Sequence, residues 1–283
     1  PLPVPPDPMP PLPPYSVLMC VCGTDSPAAF ALALDSMLAQ THPSDDIVLV
    51  LDGPLPAELS RVLEERMTRA PSSIVPVPLH ANVGLGAALN EGLRHCRHDL
   101  VARMDADDIS LPERCGRLAE AFAEKPDLAV VGSPVLEFVG SPDNIVGRHD
   151  VPLANDEIHR FAKRRDPFAH PAVMFRKSAI LKVGGYASYR KNQDTDLWLR
   201  LLATGVECRN IPEPLLLFRF DENTYRKRKS WLNTKNLLAI RHKAWKSGFT
   251  TFPDFLSVAV AQLAVFALPV GFTKFLYKTF LRK

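Results

Sequence analysis

Between residues 15 and 105, four short apolar runs alternate with three amphipathic segments. The runs are YSVLMCVC, DIVLVLD, SIVPVPL and LVARMD. Each is shorter than a core helix, and an unbroken apolar run of this length marks a strand buried on both faces. The third is the weakest, because Pro76 and Pro78 cannot donate to a sheet ladder. The segments between them, SPAAFALALDSMLAQT, PAELSRVLEERMTRA and GLGAALNEGLRHC, carry apolar residues at helical spacing. Ser26 is placed to cap the first helix, with Pro27 in its first turn. Strand and helix in alternation predict an α/β fold, a mostly parallel sheet with helices on both faces. Ligands of such sheets bind beyond the carboxyl ends of the strands. Asp52 ends the second run and Asp105 the fourth, while Gly84 and Gly86 follow the third. All four therefore fall on the ligand-binding edge.

The second half alternates less regularly. LAVVGSPVLEFV reads as one or two strands, and NDEIHRFAKR as a helix capped by Asn155. AVMFRKSAILKVGGY reads as a strand, a short helix and a stop at Gly184 and Gly185. DTDLWLRLLATG is an amphipathic helix ended by Gly205, with Trp198 in the core, and PLLLFRF is a further strand. A basic helix is expected from about Ser230 to Gly248. Residues 1–14, PLPVPPDPMPPLPP, have too few backbone donors for a helix or sheet and are expected to be a disordered lead-in. A ligand for a proline-reading module is the less favoured reading of that stretch.

The net charge of +3 gives no case for nucleic-acid binding, but its distribution is uneven. From Asn223 to Pro253 there are eight Lys or Arg and no acid, beginning with RKRK at 226–229. Such a stretch suits anionic partners, and equally a solvated helix face. The five cysteines, Cys20, Cys22, Cys96, Cys115 and Cys208, are odd in number and scattered, as expected of reduced, mostly buried thiols. The first residues carry no basic-then-apolar targeting pattern.

ARMDADDISLPER crowds Asp105, Asp107 and Asp108 at a strand end, where each raises the others' pKa unless a cation intervenes. Hard carboxylate oxygens suit Mg²⁺ or Mn²⁺, which also bind diphosphate. On an extended segment Asp105 and Asp107 point to one side. Alone, the triplet fits a solvated turn as well, with Asp107 or Asp108 capping the helix after Pro112. It is no EF-hand loop, since Ile109 and Leu111 occupy ligand positions. No phosphate-binding P-loop, Rossmann fingerprint or Gly-x-Ser-x-Gly nucleophile turn occurs.

Taken in order, QTHPSDDIVLVLDGPL, NVGLGAALNEGL, MDADDISLPER and NQDTDLWLRLL resemble the inverting family-2 glycosyltransferases of the A-type fold. The likeness runs from about Tyr15 to Arg219 and is strongest to bacterial enzymes of exopolysaccharide, capsule or lipopolysaccharide assembly. It implies a glycosyltransferase A-type, Rossmann-like catalytic domain over 15–220, with a nucleotide-binding half (15–108) and an acceptor half (109–220). Residues 221–283 would form a basic and apolar helical extension. By this resemblance Asp52 meets the nucleobase, and Asn82 and Gly84 lie beside the nucleotide. Asp105 and Asp107 become the metal and ribose acids, with Asp107 the direct ligand of Mn²⁺ or Mg²⁺. The family's acid pair falls on Gln193 and Asp194, which makes Asp194 the base that deprotonates the acceptor hydroxyl. Asp196 could compete for that role, but reads better as a charge favourable at a helix N-terminus. His170, in PFAHPAVMFRKSAI, either lines the acceptor pocket or simply packs. Arg219 becomes a diphosphate contact, although Asp221 stands where the family often has His. The processive synthases' Gln-x-x-Arg-Trp is absent, which favours one sugar per encounter.

The partners so implied are a nucleotide-sugar donor, with a UDP-sugar expected, and a glycan or lipid-linked acceptor. Phe255 to Phe272 is an apolar run near the lower limit for a membrane span, interrupted by Pro269. It is followed by Lys274, Lys278, Arg282 and Lys283 at helical spacing. This fits a helix lying in a membrane interface, here the inner face of the cytoplasmic membrane, or one docking on a lipid-linked acceptor; the other possibility is a helix packed on the catalytic domain. A cytoplasmic location is expected. Two rival functions remain: a sugar nucleotidyltransferase, disfavoured by the lack of a basic residue in GTDSPAAF, and a non-catalytic scaffold retaining the fold.

Overall fold

A computed structural model describes residues 11–220 and 230–267. The first ten residues, Asp221, the RKRK cluster and everything after Ala267 lie outside the described residues. Expectations for the start of the proline tail and for the terminal basic segment therefore fall outside them too.

The first half follows the alternation. Strands β1 (Tyr15–Cys22), β2 (Ile47–Asp52), β3 (Ile74–Pro78) and β4 (Leu100–Asp105) alternate with helices α1 (Pro27–Leu38), α2 (Ala57–Arg69) and α3 (Leu85–His95). All four strands are parallel, in the order β4-β1-β2-β3. Proline-bearing β3 takes the outer edge, where a missing donor leaves no partner unsatisfied. Ser26 caps α1, its Oγ accepting from the Ala29 N–H.

The sheet then continues in an order the sequence did not announce. After a two-residue strand β5 (Ile109–Ser110) and helix α4 (Arg114–Glu124) come β6 (Leu128–Gly132), β7 (Val135–Phe138) and β8 (Ile145–His149). Helix α5 (Asn155–Ala162), a 3₁₀ turn over His170–Ala172, strand β9 (Met174–Arg176) and helices α6 (Lys177–Lys182) and α7 (Gln193–Leu202) follow. Strands β10 (Glu207–Asn210) and β11 (Leu216–Arg219) come last. Short β9 runs antiparallel between β4 and β6, and β10 adds to β6 in parallel, completing a seven-stranded sheet. LAVVGSPVLEFV divides into β6 and β7, which belong to different sheets. A second sheet of four strands, in the order β5-β11-β7-β8, stands beside the first. Asn155 does not cap α5. The helix begins at Asn155 itself, and its amide is spent across the fold: Oδ1 accepts from the Cys208 N–H at 3.0 Å. The Glu157 carboxylate takes the exposed Leu153 and Ala154 N–H groups instead.

Two apolar layers cover the large sheet. On one face Phe30, Leu34 and Met37 of α1 pack with Leu59 of α2 and Leu118 of α4. On the other, Leu89 and Leu93 of α3 pack with Ile158, Ile180, Leu197 and Trp198 of α5, α6 and α7. The basic stretch forms α8 (Trp231–Lys246), capped by Ser230, and turns into α9 (Phe252–Ala267). Ile240 and Ala244 pack against Leu199 of α7, so this hairpin is fastened to the helix that begins with Gln193 and Asp194.

Candidate active site

The chemistry gathers where β2 and β4 end. Asp52 is buried at the close of β2. Its Oδ1 accepts from the Val83 N–H at 2.7 Å and its Oδ2 from the Gly84 N–H at 3.1 Å. Asn82 Nδ2 donates to the Asp52 carbonyl at 3.3 Å. The acid therefore clamps the loop that leads into α3. Gly84 sits there at φ 87°, a conformation that costs most side chains free energy. Asp52, Asn82 and Gly84 thus stand together on one edge.

At the end of β4, ligand oxygens of Asp105, Asp107 and Asp108 lie within 4.8 Å of one another. What makes this crowding tolerable is Arg103, two residues earlier and 1% exposed, which forms an ion pair with Asp105. Its Nε and Nη1 are buried without a hydrogen-bond partner. Asp108 is fully buried; its Oδ1 accepts from the Arg219 N–H at 2.8 Å, while its Oδ2 has no partner. Burial, then Asp105 and Asp107, push the Asp108 carboxyl well up. Asp107 is the exposed member of the set. Partial removal from water, then Asp105, push its carboxyl up to about 6. Asp25, from the loop after β1, adds to that rise. Neither Asp107 nor Asp108 caps α4, which starts after Glu113 with no side-chain cap. Arg219 closes the group from β11: its Nε donates to the Asp107 carbonyl at 2.8 Å, and its guanidinium lies 4.6 Å over the Phe138 ring.

Asp194 enters at the first turn of α7. Asn192 precedes it in the left-handed region at φ 61°, one of the strained backbones that gather at working sites. Burial, then Asp166, push the Asp194 carboxyl up to about 6, against a lowering by Arg103. The Arg103 guanidinium thus acts on Asp105, Asp107, Asp108 and Asp194 alike. Tyr186, whose phenol burial pushes up, feels both Asp194 and Asp105. Its hydroxyl lies 2.9 Å from His170 Nε2. His170 is buried between Tyr186 and Trp198, and burial, then Arg103, hold its pKa well below the usual histidine range. A neutral ring there positions Tyr186. Asp196 faces away from this chemistry, bonded at 2.7 Å to Nε of Arg200 one turn on. Gly185 stands at φ 69°, and an added Cβ would meet Asn90 Oδ1 at 2.5 Å. That asparagine ties α3 to the Tyr186 backbone by two hydrogen bonds, each 2.7–2.8 Å.

The sequence reading did not single out Arg103, Asp166 or Tyr186. The signal for Arg103 was present: in a strand buried on both faces, residues 103 and 105 share a side. A lone Arg on that side, two positions from a conspicuous Asp, is a built-in counter-charge.

Asp194 also opens onto a cleft of about 600 Å³ between the α/β body and the α8–α9 hairpin. Asp166, Thr195, Glu137, Arg241 and Gln262 are among its walls.

The model for "Glycosyl transferase family 2" matches residues 16–194, from β1 to Asp194 itself. An uncharacterized glycosyltransferase of Haemophilus influenzae is 34% identical over 95% of this chain and 99% of its own length. The UDP-Gal:alpha-D-GlcNAc-diphosphoundecaprenol beta-1,3-galactosyltransferase of Escherichia coli is 33% identical over 96% of this chain and 98% of its own. The amylovoran biosynthesis glycosyltransferase AmsE of Erwinia amylovora is 37% identical over 77% and 80%. Among solved structures, mannosyltransferase PcManGT of Pyrobaculum calidifontis, in complex with GDP-Man and Mn²⁺, shares the fold at a TM-score of 0.61 and 17% identity. That likeness covers 89% of this chain and 69% of the other. S. aureus TarS in complex with UDP gives 0.57 and 16%, over 80% and 65%. With more than half of its length inside the family model, and relatives a third identical from end to end, this chain belongs to glycosyl transferase family 2.

Proposed function

We propose that the protein transfers a sugar, with inversion, from a nucleoside diphosphate sugar to a hydroxyl of a glycan or lipid-linked acceptor. The setting would be assembly of a bacterial surface polysaccharide, lipopolysaccharide or capsule, and the donor a UDP-sugar. One observation carries the reading: a candidate base, Asp194, and an acidic cation-binding group are arranged about a single buried guanidinium, Arg103. The relatives support it, since one serves amylovoran biosynthesis and another takes UDP-Gal to a lipid diphosphate. A nucleotidyltransferase would want cations in the loop after β1, where this chain has Asp25 bonded to the Cys22 N–H.

In the proposed step the acceptor oxygen attacks the anomeric carbon from the face opposite the diphosphate. Asp194 takes the hydroxyl proton. The anomeric C–O bond breaks, and the nucleoside diphosphate leaves with the electron pair. A carboxyl ionising at about 6 is mostly deprotonated at neutral pH yet basic enough to share a proton in the transition state. Asp107, with Asp105, would hold Mn²⁺ or Mg²⁺. The fit is supported by the all-carboxylate donor set, by the raised Asp107 and by the orphaned Asp108 Oδ2, all signs of negative charge in excess. Such an ion supplies positive charge to the departing diphosphate. Asp52, Asn82 and Gly84 would receive the nucleoside, and Arg219, beside Asp107, the diphosphate. His170 holds the buried Tyr186 hydroxyl, which feels Asp194 and Asp105.

Contact with the inner face of the cytoplasmic membrane is part of the proposal. No helix among the described residues is long and apolar enough to cross a membrane. Phe252, Leu256, Val260 and Leu263 nonetheless form an exposed apolar stripe on α9, and Lys274, Lys278, Arg282 and Lys283 follow it in sequence.

The test is release of nucleoside diphosphate from a panel of nucleotide sugars with acceptor and Mn²⁺ or Mg²⁺ present. Asp194→Asn should lower kcat by about 10²–10⁴-fold with nucleotide binding retained. Undiminished turnover in that variant would remove Asp194 from the base role.

A further inference from the structure

Helix α9 is apolar on nearly every side. After Asp254 it carries no charged residue, and most of its residues are exposed. A helix of this kind is normally covered all round. The hairpin is held at its two ends by ring contacts. Trp245 stacks on Phe255 at 5.7 Å near the turn, and Trp231 meets Phe266 at 5.3 Å at the far end. Further ties are the Gln262 Nε2 hydrogen bond to Thr234 Oγ1 and the ion pair of Arg164 with Asp254. Between those fastenings α9 stands off the α/β body and walls the 600 Å³ cleft with Val258, Ala261 and Val265, which recur on one helical face. Leu237 of α8 adds to that wall. Ser257 and Gln262 interrupt that apolar face, and the rest of the lining is mostly polar, with Asp166, Asp194 and Thr195.

The volume lies in the range of small-ligand sites. A lining that is apolar along Val258, Ala261 and Val265 and polar at Asp194 suits an amphiphile with a sugar at one end and a hydrocarbon at the other. Three arginines, Arg164, Arg165 and Arg241, line the same space, and Arg241 keeps a buried Nε with no hydrogen-bond partner. Arg164 already pairs with Asp254 and Arg241 with Asp166, so an anionic linker between sugar and hydrocarbon would join existing ion pairs there.

We propose that the α8–α9 hairpin is the aglycone subsite of this transferase. The accepting sugar lies at Asp194, and the apolar chain that bears it leaves along Val258, Ala261 and Val265. This rests on the glycosyltransferase reading above and adds to it where specificity for the lipid resides. The wall covers only part of a chain; burying about two methylenes corresponds to about tenfold in affinity.

The test compares two acceptors with UDP-galactose as donor: the undecyl and the methyl ester of N-acetylglucosaminyl diphosphate, in solution without vesicles. The full-length protein should use the undecyl ester with a KM at least about tenfold lower. A cleft-face variant, Val258→Asn with Val265→Asn, should lose that preference while still binding UDP by calorimetry. An outward-face variant, Leu256→Asn with Val260→Asn, should keep it. Equal kcat/KM for the two esters in the unmodified protein would overturn the subsite and leave the transferase reading standing. So would an unchanged preference in the cleft-face variant, or loss of preference only in the outward-face variant. Donor hydrolysis with no transfer to either ester would refute the acceptor class itself, and the subsite with it.

Discussion

Replacing Asp166 by Asn should move the acid limb of the pH–rate profile toward lower pH. Asp166 lies next to the proposed base through Thr195: its Oδ2 accepts from Thr195 Oγ1 at 2.8 Å, and the Thr195 N–H donates to Asp194 Oδ1 at 2.9 Å. Its negative charge is the second cause, after burial, of an Asp194 carboxyl raised to about 6. A base must be ionised to work. For a group ionising at about 6, roughly one molecule in eleven is competent at pH 5 and ten in eleven at pH 7, so kcat should rise about tenfold between them. Asparagine keeps the shape and can still accept from Thr195, but it carries no charge. Burial remains, so the base should stay above the ordinary aspartate value, with its limb about half a unit to one unit more acidic than in the parent. At pH 5 the variant's share of ionised base should then exceed the parent's by about two- to fivefold. The assay is kcat from pH 4.5 to 8 at saturating donor, acceptor and divalent metal, the metal being in excess so that Asp107 does not titrate in the same range. A limb that stays put, or moves to higher pH, would refute the coupling of these two acids and the assignment of the limb to Asp194.

Two further outcomes follow from the same charges. Arg103→Met should destabilise the fold by about 3–5 kcal/mol in denaturant unfolding, because it strands Asp105 beside Asp107 and Asp108 without a buried counter-charge; a loss below about 1 kcal/mol would mean that water already screens the cluster. Asp194→Asn should do the reverse at neutral pH. An unfolded aspartate ionises near 3.8 and the folded one at about 6, so ionisation penalises the native state, not at all below pH 3.8 and fully above pH 6. The neutral variant should therefore gain up to about 3 kcal/mol at pH 7 and nothing at pH 3.5, read from urea midpoints at the two pH values.

The first half of the fold was legible because its strands are buried on both faces, so composition alone marks them. β8 and β10 were not, since GRH and ECRN owe their strand geometry to the neighbours they pair with. The strand at β9 was read from AVMFR, but not that it runs against the sheet, which no local pattern encodes. The acidic run and Asp194 could be found from motif order. The Asp166–Asp194 coupling could not, because the two lie 28 positions apart and meet only when α7 packs. Asn155 misled for a related reason. Its amide looks like a cap in sequence, but tertiary packing offered it the Cys208 backbone instead. Arg103 was passed over, although it stands on the same side of its strand as Asp105.

The short antiparallel strand Met174–Arg176 has one more consequence. It zips together strands made early and late in the chain, and Arg103 donates its backbone N–H to Val173 just ahead of it. A ribosome that has released the chain only as far as residue 105 has therefore made a sheet with a raw margin at Leu100–Asp105, open to any passing strand. That margin is sealed only once residue 176 emerges, so the nascent chain carries an aggregation hazard across some seventy residues of synthesis.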